Sequence, residues 1–106
     1  MKRLKFHHKF VDKILSRAKI STMRLFDDKN LQVGDQLELV DSSTGNVFAC
    51  AEILELREKL VKQLSPEELA AHNYENVEAM IESHRGYYGD KVSRDTVTKI
   101  ITFKLK

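Results

Sequence analysis

Two β-period runs, Gln36 to Val40 and Val47 to Leu56, are separated by only six polar residues, Asp41-Ser42-Ser43-Thr44-Gly45-Asn46, and this limits the fold more than any other feature. A connection so short, with Gly45 free to take a positive φ, joins antiparallel neighbours. Within the first run Leu37 and Leu39 point one way, and Gln36, Glu38 and Val40 the other. The mostly apolar first half of the second run predicts burial on both faces, with Cys50 as a small core residue.

The remaining periodicities surround this hairpin. Leu4 and Phe6 alternate with Arg3, Lys5 and His7 as in a short strand. Phe10, Val11, Ile14 and Leu15 then recur at helical spacing, which predicts a surface helix from Lys9 to Ala18. A second β-run, Lys19 to Phe26, leads through the polar turn Asp27 to Asn30 and through Val33-Gly34-Asp35 into the hairpin. From Arg57 the period changes. Ser65-Pro66-Glu67-Glu68 carries the cap, first-turn proline and third-position glutamate of a helix start. Asn76 caps a further helix, whose stripe Val77, Met80, Ile81 and His84 ends at Gly86. Thr96 to Leu105 closes the chain as a strand. This order does not alternate regularly enough for a doubly wound sheet, so it predicts an α+β fold, a small curled sheet or β-barrel flanked by helices.

A chain of 106 residues is expected to form one domain. No apolar segment has the length of a membrane span or a secretory leader, and a lone cysteine suits a reducing compartment, so a soluble cytoplasmic protein is expected. The net charge of +2 is unevenly placed: residues 1–24 hold eight Lys or Arg against one acid, Asp12. Such a front fits a phosphate-facing surface, and it equally fits a solvated helix face.

Chemistry concentrates in Lys19-Ile20-Ser21-Thr22-Met23-Arg24, where helix gives way to strand. On an extended chain Thr22, Arg24 and Phe26 share one face, and Ser21, Met23 and Leu25 the other. Lys19, at the junction, can aim independently of the pleat and meet Thr22 over a shared cavity. A partly desolvated lysine loses its proton more readily and can activate a hydroxyl, whereas a lysine in the last turn of a helix ordinarily serves only the dipole. His7 and His8 diverge on a strand with no cysteine or acid beside them, so no metal site and no cofactor are expected. His84, on its apolar stripe, reads as a packed histidine.

At these residues the chain resembles the ASCH family, small domains with a PUA-like β-barrel. The resemblance runs nearly end to end: Ile14 to Lys19, the Lys19-x-x-Thr22-x-Arg24 pattern, Val33-Gly34-Asp35, the strand pair, the Ser65 to Tyr88 helical insert and the closing Ile101 to Leu105. It is similar to short bacterial members that remove the acyl group from N4-acetylcytidine with a lysine, a threonine and a glutamate. The resemblance implies Thr22 as the nucleophile on the acyl carbonyl and Lys19 as the group that takes its proton. Arg24 would hold the pocket wall or a phosphate. The family glutamate is expected in the helical insert, and there Ala70-Ala71-His72-Asn73-Tyr74 has His72 in the acid's place. Either His72 works instead, or Glu75 or Glu78 reaches in, or the activity is a different one.

Two functions follow. One is a metal-free amidohydrolase acting on an acylated cytidine through Lys19, Thr22 and His72. The other is an RNA-binding module without turnover, with Arg24, Lys5, Lys9 and Lys13 on phosphates and Tyr74, Tyr87 or Tyr88 stacked on a base. RNA or a modified nucleoside is the expected partner, and no membrane is.

Overall fold

The computed structural model describes residues 1–106 as five strands and three helices. The strands are β1 (Lys2–Phe6), β2 (Ser21–Leu25), β3 (Gln36–Asp41), β4 (Val47–Leu60) and β5 (Val97–Leu105); the helices are α1 (Val11–Leu15), α2 (Pro66–Ala71) and α3 (Val77–Tyr88). They form one sheet in the order β1-β3-β4-β5-β2. The predicted hairpin is present as antiparallel β3 and β4, with Gly45 at φ +77° in its turn. β1 pairs parallel with β3, and β5 lies antiparallel between β4 and β2. The sheet curls into a half-barrel whose two edge strands, β1 and β2, carry no ladder to each other. That open seam locates the site.

Each face of the sheet has its own core. Leu4, Phe6, Leu37, Leu39, Ile53, Ile101 and Phe103 gather on one face, closed by Ile14 of α1. On the other, Met23, Leu25 and Ile100 pack against Leu69 of α2 and Met80 and Ile81 of α3. Burying such side chains stabilises each by roughly 1.5–3 kcal/mol, before chain entropy is counted. α2 begins as its residues dictate: Ser65 accepts from the Glu68 N–H, and Glu68 in turn accepts from the Ser65 N–H. Asn76 caps α3 through the Ala79 N–H.

Several expectations are corrected. The first helix is shorter than Lys9 to Ala18, because a 3-10 turn occupies His8–Phe10 and Arg17, at φ +66°, ends α1. β4 does not stop near Arg57 but runs to Leu60, held by β5 partners through Leu60↔Val97. Long-range pairing overrides the weak strand character of its charged end. α3 passes through Gly86 and ends at Gly89, φ +78°. Nor is the first half of β4 buried on both faces: Val47 and Cys50 are exposed, so Cys50 is no core residue. No helix is long and apolar enough to cross a membrane.

Candidate functional site

Two helix ends converge at the seam, each turned by a non-glycine residue in the left-handed region. At the end of α1, Arg17 reverses the chain and the Lys19 N–H returns to the Lys13 carbonyl at 3.0 Å, which fixes where the Lys19 side chain starts. At the end of α2, Asn73 takes φ +66°, while the Asn73 N–H bonds Ala70 O and the Tyr74 N–H bonds Leu69 O. This Schellman closure fixes His72 at the cap and sends Tyr74 back toward the sheet. Between these ends, along the edge of β2, lies a cavity of about 830 Å³. That is ample for a nucleotide.

The cavity brings together all the residues proposed from the sequence. Lys5, Lys9, Lys13, Lys19 and Arg24 line it, as do Thr22, His72, Tyr74, Tyr87 and Tyr88. His7, Phe10 and His84 line it too, and no Asp or Glu does. The cations come from β1, α1, β2 and the turns between them, and most of the rings come from the α2–α3 segment. The cavity therefore has a cationic wall facing a largely aromatic one.

Arg24 holds the seam. Its Nη2 donates to the Lys5 carbonyl at 2.6 Å, joining the two edge strands, and its guanidinium lies 4.8 Å from the centre of the Phe6 ring. Lys19 Nζ donates to the Ser21 carbonyl at 2.9 Å and sits 4.9 Å from the Phe10 ring centre. Burial, with Arg24 and Lys13 nearby, lowers the Lys19 amine to about 8. Thr22 is only 7% exposed and faces the same cavity, but no hydrogen bond joins it to Lys19.

The hydroxyl engaged with His72 belongs instead to Ser21, a residue that the sequence pattern passed over. His72 Nδ1 lies 2.8 Å from the Glu68 carbonyl, which can only accept, so Nδ1 carries the proton. Burial lowers the pKa of His72, with Lys19 adding to the effect, and keeps the ring neutral; Nε2 then accepts from Ser21 Oγ at 2.9 Å. Both ring nitrogens are thus occupied. His72 is well oriented, and its basic nitrogen is already in use. Glu75 and Glu78 do not reach in: both are exposed, and Glu78 pairs with Arg94.

On the aromatic wall, Tyr74 and Tyr88 flank His84, with ring centres 5.7 and 6.3 Å away, and Tyr88 also meets Phe26 at 5.4 Å. His84 is buried as expected, its Nδ1 donating to the Met80 carbonyl, yet it lines the cavity as well. Tyr87, 73% exposed, offers the freest ring face. His8 has an acidic partner that the sequence reading did not foresee: its Nδ1 meets Asp41 Oδ2 at 2.6 Å. Nowhere do three His, Cys, Asp or Glu side chains gather as a metal-ion set.

A mixed five-stranded half-barrel with helices against its faces is the ASCH fold, as the resemblance implies. The chain superposes over 98% of its length on the ASCH domain from Lactobacillus crispatus JV V101, with a TM-score of 0.73 and 16% identity, covering 79% of that chain. A protein of Enterococcus faecalis V583, described under the family DUF984, matches 93% of the chain and 68% of its own length at a TM-score of 0.75 and 12% identity. The ASCH protein of Zymomonas mobilis matches 96% of the chain and 65% of its own length at a TM-score of 0.65 and 12% identity. No protein-family model and no curated protein matches the sequence. The likeness is one of fold, so function is argued from this chain's own side chains.

Proposed function

We propose that the cavity binds a nucleotide unit, free or within single-stranded RNA, with phosphate on the cationic wall and base on the aromatic one. One observation carries this reading: five cationic side chains and three tyrosines line a single cavity that contains no carboxylate. Lysines gain affinity for phosphate by releasing counterions, and ring faces stack on any base. A short single-stranded RNA should bind with an affinity that falls steeply between about 50 and about 200 mM salt. Replacing Lys5, Lys9 and Lys13 by Gln should flatten the salt slope by roughly one unit per lysine. Absent or salt-independent binding would remove the reading.

A second reading, hydrolysis of an acylated cytidine, is favoured by the Lys19 amine at about 8 sharing a cavity with the Thr22 hydroxyl. Thr22 would attack the acyl carbonyl, Lys19 would take its proton and pass it to the departing amine, and water would release the acyl group from Thr22. The bonds of His72 suit it to positioning more than to proton transfer. Incubation with N4-acetylcytidine should release cytidine with the wild type and not with Thr22→Ala; no release by the wild type would exclude that substrate. A cytoplasmic location suits both readings, because exposed, unpaired Cys50 stays reduced there.

A further inference from the structure

We infer that the cavity takes up its anionic ligand together with a proton, and that Lys19 receives it. The inference rests on the nucleotide-binding reading and adds that the ligand's charge is matched partly by protonation at the moment of binding. Lys19 shares the cavity with like charges from the neighbouring elements, Lys5 on β1, Lys9 in the turn after it, Lys13 on α1 and Arg24 on β2, of which Arg24 and Lys13 act on it most. The imidazoles that share the cavity, His7, His72 and His84, bring no negative charge, and Tyr74, Tyr87 and Tyr88 are phenols. The nearest acid behind His72, Glu68, is already held by Lys59 at 2.7 Å and Arg57 at 3.0 Å.

Of the crowded amines, Lys19 is the one whose solvation is most reduced. Its Nζ has the Ser21 carbonyl and the Phe10 ring as neighbours and no carboxylate, so burial shifts it toward its neutral form and lets it lose its proton above about pH 8. A phosphate dianion reverses that balance, because it stabilises the ammonium and offsets the repulsion from Arg24 and Lys13. His72 is a poor receiver. Protonating Nε2 would require Ser21 Oγ to turn its hydrogen away, with Nδ1 already donating to the Glu68 carbonyl.

The test uses cytidine 5′-monophosphate, whose phosphate is already a dianion above about pH 7, so the ligand itself does not titrate in the working range. Calorimetry at about pH 8.5 in two buffers of different ionisation enthalpy should give different observed heats, corresponding to uptake of a fraction of a proton. Above about pH 8 the affinity should fall by up to about tenfold per pH unit. Lys19→Arg, which stays charged throughout, should lose both the buffer dependence and that slope, whatever its affinity. Equal heats in the two buffers, or an unchanged slope in Lys19→Arg, would overturn the inference and leave the binding reading standing. If the wild type does not bind the nucleotide at all, both fall together.

Discussion

Most cations outside the cavity have a carboxylate partner, and none of those lining it does. Around the barrel, most cations are matched, among them Lys2 with Asp35, Arg3 with Glu38, Lys62 with Asp95, Lys99 with Asp27, and Lys59 and Arg57 with Glu68, whereas Arg17, Arg85, Lys91, Lys104 and Lys106 have no ion pair. Along the cavity Lys5, Lys9, Lys13, Lys19 and Arg24 have no carboxylate within ion-pair distance. The first group serves the fold and the second awaits an anion. The contrast is sharpest between Glu68, whose carboxyl is half-enclosed and paired with two cations, and Lys19, whose amine is half-enclosed and unmatched.

Breaking the paired cluster should have the largest effect. Glu68 accepts from Lys59 and from the Ser65 N–H and faces Arg57, so Glu68→Ala leaves the Ser65 N–H and Lys59 unpartnered, while Arg57 keeps Glu55. A loss of roughly 2–3 kcal/mol is expected from denaturant unfolding. Burial alone would raise the Glu68 pKa, but the bonds from Lys59 and Ser65 outweigh it and hold it at about 2 instead of 4.5. A depressed carboxyl stabilises the fold above its unfolded value, so that contribution is complete above about pH 4.5 and is lost as pH falls toward about 2. Stability measured down to low pH should show this loss in the wild type and less of it in Glu68→Gln.

Removing the unmatched charge should act in the other direction and more weakly. Lys19→Met keeps most of the stem and deletes the crowded ammonium, so it should raise stability at pH 7 by about 1 kcal/mol after allowance for solvent screening. Because the folded state holds Lys19 at about 8 against 10.5 unfolded, the wild type should gain stability as pH rises through that interval, and Lys19→Met should not. A destabilised Lys19→Met at pH 7 would contradict the contrast drawn here.

The smallest expected changes in stability are at the cavity's outer lysines. Lys5→Gln, Lys9→Gln and Lys13→Gln should each move unfolding by no more than about 0.5 kcal/mol, as surface substitutions do, while weakening RNA binding. Arg24 lies between the two groups, because it spans the seam to the Lys5 carbonyl. Arg24→Met should cost roughly 1–2 kcal/mol as well as affinity.

The local signals that were legible in the sequence are those with a local cause. Ser65-Pro66-Glu67-Glu68 specifies its own cap, Asn76 does likewise, and the six-residue connection after Val40 forces a hairpin. That Thr22 and Arg24 share a cavity was legible from alternation on β2, and that Lys19 joins them from its place at the helix-to-strand junction; His72 and the tyrosines came from the family pattern and the RNA-binding alternative. What was missed depends on distant partners. Ser21 lies on the opposite face from Thr22, as alternation says, but its partner His72 arrives from 51 residues away. The parallel pairing of β1 with β3, the extension of β4 to Leu60 and the attachment of His8 to Asp41 likewise rest on contacts between distant parts of the chain. Arg17 ends α1 in a conformation usually left to glycine, so no residue type announced the stop.

The most direct test is to map cytidine 5′-monophosphate binding by amide chemical shifts on labelled protein. Shifts should concentrate at Lys19 to Arg24, at His72 to Tyr74 and around Tyr87, with the paired surface about Glu38 and Asp95 unmoved. Shifts confined to that paired surface, or none at saturating nucleotide, would contradict the assignment of this cavity as the place where the chain meets its ligand.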